Sequence, residues 1–481
     1  MAALMKGRME IETGKPGSVP PALKAEAKKR QKAKGAYLAL LILSALYFGR
    51  PEDVIPGLNV IPLAKIAGGV ALVALILSLM SGKARQKLAL EVKYLLALFA
   101  WYCITIPFAY WRGGAFHTVT TRLSKSIIAA LLVVFLVQQL WQLRRLIWVQ
   151  AASVAVMTVL SLAAHHTPNG RLTGVLGGVF ENPNDLAINI ALNWPLCLAF
   201  FFMTRGAFKK ALWGCALLAM LLAVQMTYSR SGFLALMAAC VLAVWQFAIR
   251  GRRIQLIFVA GLLGVVLLIA TPQKYYARLA SIVVKGETDP AGEASREQRR
   301  QLLIESIMTA VHHPLFGIGA GNFEAVNGMW RVAHNTYTEV AAEGGFPAFI
   351  LFMMLFYKAF ANIRSVRKSQ LYKENADVRV LGDGLWVSVL AFMAGAFFAS
   401  TEYSMYPYYL VAYTTALYQI ACVPPSPGKQ RIDRLASVNS GMDRDVSIVY
   451  ASQDARTENS NSSAGKKSPR WDYKWNSPTN S

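Results

Sequence analysis

Apolar residues come in long blocks along most of the chain, separated by short polar or charged segments. Most blocks are close to the roughly 17–25 residues that a helix needs to cross a bilayer. Backbone groups inside a bilayer must satisfy one another, so each block is expected to be helical. We predict about 12 spans: 36–49, 58–80, 94–111, 127–141, 146–164, 186–203, 211–227, 232–249, 254–270, 336–360, 385–399 and 406–423. The predicted fold class is an all-α, polytopic membrane helical bundle.

The same pattern divides the chain into five parts. They are a basic cytoplasmic tail (1–35), a first transmembrane block of about nine spans (36–271), a long extracytoplasmic loop (272–333), a last block of about three spans (334–423) and a disordered cytoplasmic tail (424–481). We find no persuasive cleavage site after the first apolar block, which is therefore interpreted as a retained span. Within the loop, the apolar spacing after Ser295 predicts an amphipathic helix that lies against the membrane.

Composition supports a membrane protein. Hydrophobic residues make up 55% of the 481 and charged residues only 16%, whereas soluble proteins carry about 25% charged residues. The net charge of +24 could indicate a nucleic-acid partner, but the basic residues stand between apolar blocks, as in topology control. We therefore expect a lipid bilayer and no nucleic acid as partner. The five cysteines have no metal-ligand spacing and are predicted to be buried hydrophobic residues.

The Lys and Arg distribution orients the predicted bundle. If the basic N-terminus is cytoplasmic and the spans alternate, every inner loop holds more Lys and Arg than its outer neighbours. The segments 165–185, 227–231 and 271–335 then share the outer face.

Polar side chains gather on that face. Arg171 precedes Asn182 and Asn184, which stand just before an apolar run and could either cap a helix or contact a ligand. Arg230 lies at the start of a span, where it could reach lipid headgroups or bind a phosphate through its planar fork of donors.

Two further clusters lie in and after the long loop. Arg299 and Arg300 stand near the start of the predicted amphipathic helix, which could be an ordinary interfacial helix. Gly317, Gly319 and Gly321 lack the context of a dinucleotide-binding loop and predict a tight, close-packed turn instead.

His334 opens the most informative cluster, because a neutral imidazole can take a proton at physiological pH. Asn335 is the next residue, and Glu339 and Glu343 follow Asn335 at intervals of four residues. They predict a polar stripe on one face of a helix, turned toward the bundle interior instead of lipid.

The ordered set of motifs resembles the O-antigen ligase/polymerase superfamily of bacterial membrane glycosyltransferases of the GT-C type. The set is Arg-Leu-Thr-Gly, Phe-Glu-Asn-Pro-Asn-Asp, Tyr-Ser-Arg-Ser-Gly, a loop Arg before His-Pro-Leu-Phe-Gly-Ile-Gly-Ala-Gly-Asn-Phe, and His-Asn-Thr-Tyr before Glu-Gly-Gly. The resemblance covers roughly residues 36–423 and includes exopolysaccharide-polymerase-like members, to which the turn 50–56 is similar.

The resemblance implies an activity and site residues. Members transfer a glycan from an undecaprenyl-diphosphate carrier to a glycolipid or glycan acceptor, at the periplasmic face of the inner membrane. Arg230 and Arg299 match the diphosphate-binding arginines, and His334 matches the residue that activates the acceptor hydroxyl. This chain has Leu303 where many members have an aromatic residue, so Arg300 stands as an alternative to Arg299. Further candidates for substrate contact are Arg171, Asn182, Asn184, Asn335, Glu339 and Glu343.

We expect no cofactor and no metal ligand, because the outer face has no Asp-X-Asp cluster and arginines can stabilise the developing charge. Three hypotheses remain: a ligase that transfers the glycan to lipid A core, a polymerase of O-antigen or exopolysaccharide repeat units, and a secondary transporter of polysaccharide-related compounds or small anions. The transporter is disfavoured because the charged residues collect at one face and no inverted repeat is evident.

Overall fold

The computed structural model describes residues 21–51, 63–80, 89–167, 170–174, 182–251 and 290–423, with scattered residues between 255 and 264. All regular structure in these ranges is helical. The predicted span 254–270 lies almost entirely outside the described residues, as do part of 58–80, the loop segment 272–289 and the tail 424–481.

The helices follow the apolar blocks in chain order. They are α1 (Pro21–Gly49), α2 (Leu63–Met80), α3 (Leu90–Thr105), α4 (Arg112–Thr118), α5 (Ser124–Leu136), α6 (Leu140–Ala164), α7 (Pro183–Met203), α8 (Ala207–Met226), α9 (Arg230–Ala243), α10 (Pro290–His312), α11 (Phe323–Val326), α12 (Thr336–Lys368), α13 (Gln370–Glu374), α14 (Ala376–Gly395) and α15 (Met405–Cys422). A 3₁₀ turn (Ile106–Phe108) extends α3. The described ranges also hold two π-helical segments: Val119–Leu123 joins α4 to α5, and Val244–Ile249 extends α9.

Eight helices in the described ranges are long and apolar enough to cross a membrane. They are Leu90–Phe108, Arg112–Leu136, Leu140–Ala164, Pro183–Met203, Ala207–Met226, Arg230–Ile249, Thr336–Lys368 and Ala376–Gly395. The predicted all-helical membrane protein is confirmed, whereas the predicted count of about 12 spans is not. The apolar part of α1, Gly35–Gly49, is shorter than the eight.

The helix α15 fills the centre of the bundle, which explains why it is more polar than the eight spans. This helix carries three side chains that are almost completely buried, those of Tyr408, Tyr409 and Tyr413. Their hydroxyl groups find partners inside the protein: Tyr413 donates to Gln150 Oε1 at 2.7 Å, and Tyr409 pairs with Ser44 at 2.9 Å. A buried tyrosine needs such a partner, so this helix is suited to a protein interior and less to contact with lipid.

Contacts at the two ends of the bundle join segments that the Lys and Arg distribution places on the same face. At the end predicted to be cytoplasmic, Arg144 pairs with Asp377 at 2.5 Å and Arg367 with Asp383 at 3.0 Å. At the other end, the Tyr110 N–H donates to the Ile318 carbonyl at 2.8 Å. Segments that were predicted to share a face therefore meet.

The cysteines fit their prediction only in part. All five are free, and Cys197 is buried, but Cys103 and Cys215 lie exposed on the outside of the bundle. Residues on the outer surface of a membrane helix can be apolar without being buried in protein, since lipid is their solvent.

Candidate functional site

The start of α12 is fixed by a side-chain cap. Asn335 Oδ1 accepts the backbone N–H groups of Tyr337 at 3.0 Å and Thr338 at 3.2 Å. The Thr336 hydroxyl donates to the Ala399 carbonyl at 2.7 Å, which ties this end of α12 to the turn after α14. Asn335 was a candidate for substrate contact, but its oxygen is occupied by the helix that it caps.

His334 precedes this cap in a conformation that is uncommon for a residue with a side chain. Its φ angle is +55°, in the left-handed region, where non-glycine residues are held at a cost of order 1 kcal/mol and often at functional sites. Burial, followed by the charges of Arg299 and Arg331, lowers the pKa of His334 to about 4. The imidazole is therefore neutral at pH 7.

The helix α10 carries Arg299 to His334. Its buried Leu302 and Ser306 face α12, and the Ser306 hydroxyl donates to Thr338 Oγ1 at 2.8 Å. Arg299 is three residues before Leu302 and seven before Ser306, so it lies on the same face of the helix. This face places Arg299 close enough to His334 to depress its pKa.

Arg300 points away from this site. One residue further along α10, it is turned by about 100°, and its side chain is 68% exposed. It pairs with Glu297 at 3.3 Å. Arg300 is therefore the less favourable of the two candidates, and the assignment of Arg299 as the loop arginine stays a prediction.

Arg230 is the first residue of α9, directly after the residue that caps the helix. The Ser229 hydroxyl accepts the Gly232 N–H at 3.2 Å and donates to Asn184 Oδ1 at 2.8 Å. The same Asn184 oxygen accepts from Arg171 Nη2 at 3.0 Å. The α7 and α9 starts are thus joined by side chains, and this junction positions Arg230.

Arg171 and Asn182 complete the junction. Arg171 Nε donates to the Thr227 carbonyl at 2.9 Å, beside the start of α9. Asn182 caps α7 by accepting the Asn184 N–H at 2.9 Å. These hydrogen bonds give Arg171, Asn182 and Asn184 a structural role, and their contact with substrate stays a prediction.

The α7 start also connects to α10. Asp185, the residue after Asn184, is within electrostatic range of Arg299. α7 and α9 are in close contact here, because a Cβ atom added at Gly232 would lie 2.3 Å from Ala187 Cβ. The structure therefore brings Arg299 to His334, and brings the start of α9 with Arg230 to the same end of the bundle through α7.

Glu339 and Glu343 face the interior, as the predicted polar stripe requires. Both are buried, with exposed fractions of 2% and 0%. Glu339 accepts the Ala333 N–H at 3.2 Å and the Ser400 hydroxyl. Its carboxylate thus holds the segment that leads into His334, and its contact with substrate stays a prediction.

Glu343 holds the glycine-rich turn. Its carboxylate accepts the N–H groups of Gly321 at 2.7 Å and Phe323 at 3.0 Å, and the hydroxyl of Tyr403. All these donors belong to the protein. Glu343 therefore stabilises the backbone of the turn, and its contact with substrate stays a prediction.

The turn docks where α12 is interrupted. Gly345 has φ 70° and ψ 178°, which breaks the helix. The carbonyl groups of Ala342 and Glu343 accept the N–H groups of Ile318 and Gly319, both at 2.9 Å. A Cβ atom at Gly317 would lie 2.4 Å from the Glu343 carbonyl. The prediction of a tight, close-packed glycine turn is confirmed.

Two residues near the site were missed from the sequence. Arg331 is one of the charges that, after burial, lower the pKa of His334. It stands only three residues before His334, which is visible in the sequence. Glu402 is 4% exposed, and burial together with the Glu343 charge raises its pKa to about 8. An isolated acid between two apolar runs is a recognisable signal for a buried carboxyl group.

Comparison with known protein families matches one segment of the chain, which holds some of the residues described above. Residues 215–353 match the family model described as O-antigen ligase. The matched segment runs from α8 to the middle of α12 and includes Arg230, Arg299 and His334. No curated protein matches the chain. The resemblance is confirmed over this segment, and the helices show a membrane protein.

Proposed function

We propose that this protein is a glycosyltransferase that moves a glycan from an undecaprenyl-diphosphate carrier to an acceptor hydroxyl, at the periplasmic face of the bacterial inner membrane. The observation that carries the proposal is the placement of Arg299 beside His334 by α10, with Arg230 at the same end of the bundle. Fixed cations beside a neutral imidazole are what a diphosphate leaving group and an acceptor hydroxyl require.

The two arginines bind the diphosphate in this proposal. Arg230 and Arg299 each present a planar fork of N–H donors that can make two parallel hydrogen bonds to phosphate oxygens. When the bond between the anomeric carbon and the diphosphate breaks, its electron pair moves to the leaving oxygen. Guanidinium groups already held in place stabilise that charge without reorganisation.

His334 is the proposed general base. The acceptor oxygen attacks the anomeric carbon while its proton moves to the neutral imidazole, so a C–O bond forms as the bond to the diphosphate breaks. Attack opposite the leaving group inverts the anomeric carbon, which the stereochemistry of the product tests.

Donor binding should activate this base. In the free protein, burial and then the charge of Arg299 lower the pKa of His334 to about 4, which makes the imidazole a weak base. A bound diphosphate brings negative charge next to Arg299 and raises the pKa of His334 again. The base therefore becomes effective when the donor is present.

An apolar groove is the proposed binding site for the polyprenyl chain of the donor. It has a volume of about 790 Å³ and lies between α9, α12 and α14, with Met237, Met353 and Phe397 among its lining residues. Tyr337, three residues after His334, lines it as well. A polyprenyl chain in this groove would have its diphosphate end near His334 and the start of α9.

Incubation of the purified full-length protein with a lipid-diphosphate glycan, with and without an acceptor glycolipid, tests the function. Elongated carrier-linked product identifies a polymerase, and a glycosylated acceptor identifies a ligase. No turnover in either mixture would contradict the proposal and favour the transporter alternative.

A further inference from the structure

A separate cavity opens between α10 and α11. Its volume is about 370 Å³, and its lining includes Glu305, Thr309 and His312 of α10 with Val326 of α11. These α10 residues lie at intervals of four and three, so they share one face of the helix. Arg230, Arg299 and His334 do not line this cavity.

Glu305 gives the cavity an unused acceptor. Its Oε2 atom is buried and has no hydrogen-bond partner in the described part of the chain. A buried carboxylate oxygen without a partner loses its hydration and gains nothing in return, which is unfavourable. Oε2 itself is too buried for a ligand to reach, whereas a hydroxyl group in the cavity can donate to the part of the carboxylate that lines it.

The other lining groups define the ligand class. His312 Nδ1 lies 2.8 Å from the Met308 carbonyl, so this nitrogen carries the hydrogen and Nε2 is left as an acceptor. The Thr309 hydroxyl can both donate and accept, and Ile318 and Phe323 add apolar surface.

Two other ligand classes are disfavoured. Among the described residues, no Arg or Lys lines the cavity, which argues against an anionic ligand. Within the described residues, no group of three or more His, Cys, Asp or Glu is arranged to hold a metal ion.

We propose that this cavity is a sugar subsite, in which Glu305 accepts hydrogen bonds from the hydroxyl groups of one pyranose unit. A neutral ligand with many hydroxyls and some apolar ring surface fits a lining of acceptors, a hydroxyl and apolar side chains. The volume lies at the small end of the roughly 300–1,000 Å³ typical of ligand pockets. That the sugar belongs to the transferred or accepting glycan rests on the proposed function.

The position of the cavity suits a glycan that reaches away from the diphosphate. Glu305 follows Arg299 by six residues on the same helix, about 9 Å along its axis and turned by about 120° around it. A glycan whose reducing end is held near Arg299 must therefore bend partway around α10 to place a more distant sugar unit beside Glu305. An acceptor glycan that approaches His334 could use the same subsite.

Histidine modification tests the proposal directly, because His312 and His313 are exposed and line the cavity. The full-length protein with His334→Asn, which prevents transfer, is treated with diethyl pyrocarbonate, and modified peptides are quantified by mass spectrometry. The probes are the lipid-diphosphate glycan, the bare undecaprenyl diphosphate and the acceptor glycolipid. His117 is the internal control, since it does not line the cavity.

The expected result is that a glycan-bearing probe protects His312 and His313, whereas the bare carrier does not. Glu305→Gln, which keeps the shape and removes the charge, should raise the half-protecting concentration roughly tenfold to a hundredfold. Glu297→Gln makes the same change on the same helix outside the cavity and should have no effect. Val326→Trp, which fills the cavity from its rim, should abolish protection.

Protection by the donor glycan assigns the subsite to the donor, and protection by the glycolipid assigns it to the acceptor. Equal protection by the bare carrier, no protection by any probe, or unchanged protection in Glu305→Gln would overturn the subsite. A failure of the proposed function appears separately, as absence of transfer by the wild-type protein in the incubation described above.

Discussion

The Glu343 carboxylate accepts the Gly321 N–H at 2.7 Å, across 22 positions of the chain. An acid on the first part of α12 thereby fixes the glycine-rich turn against the break in the same helix. The turn is followed by the segment that leads to His334, so this contact helps to position the candidate base.

Replacement of Glu343 by Ala should destabilise the protein. The Gly321 and Phe323 N–H groups would remain buried without an acceptor, at a cost on the order of 3 kcal/mol. The measurement is the thermal midpoint of the detergent-solubilised protein. Glu297→Ala, which removes an exposed acid, serves as control, and equal midpoints for the two variants would contradict the role given to Glu343.

Alanine substitution at two glycines with similar φ angles distinguishes the cost of a positive φ angle from the cost of a steric clash. Gly345 and Gly328 have φ angles of 70° and 66°. A Cβ atom at Gly345 would lie 2.1 Å from the Leu315 carbonyl oxygen, whereas nothing lies within 4 Å of one at Gly328. Gly328→Ala should therefore cost only about 1–2 kcal/mol from its φ angle, and Gly345→Ala clearly more. Similar thermal midpoints would show that the turn does not pack closely against the break.

Adjacent arginines on α10 provide a matched pair for the proposed diphosphate site. Arg299→Gln should reduce transfer by roughly a hundredfold or more, because it removes a fixed cation from the leaving group. Arg300→Gln should transfer at nearly the wild-type rate, since Arg300 is exposed and paired with Glu297. Initial rates with the lipid-linked donor measure both. Loss of transfer in Arg300→Gln with retention in Arg299→Gln would reverse the assignment.

His334→Asn should fold normally and lose transfer. Asparagine is tolerated in the left-handed conformation that residue 334 adopts, so the backbone is retained while the base is removed. A general base contributes typically 10²–10⁴-fold, and a loss of this size is expected in the transfer rate. The thermal midpoint is the folding control, and a normal rate in the folded variant would exclude His334 as the base.

Arg331→Gln should shift the acid side of the pH profile. Arg331 is one of the charges that lower the pKa of His334 to about 4, so its removal raises that pKa toward the usual value. Transfer requires the neutral imidazole, and activity falls as the pH drops through the pKa. The acid limb of kcat/KM should therefore move to higher pH in the variant. If the acid limb does not move, Arg331 does not lower the pKa of His334.

The sequence by itself determined the fold class and the ends of the bundle. A run of about 20 apolar residues in a bilayer can only be a helix, and the Lys and Arg distribution sorted the loops into two groups that the contacts reproduce. It also pointed to His334 and Arg230, because charged and titratable residues at such positions are rare enough to stand out.

Only the tertiary structure decided which polar residues serve the scaffold. Glu339 and Glu343 differ from a ligand-binding pair only through the distant N–H groups that they accept, and Asn184 only through its bonds to Arg171 and Ser229. Helical periodicity reports which face of a helix is buried and says nothing about what is packed against it. For the same reason, the preference for Arg299 over Arg300 depended on the ion pair that Arg300 makes. The burial of the polar helix α15 likewise depended on the helices packed around it.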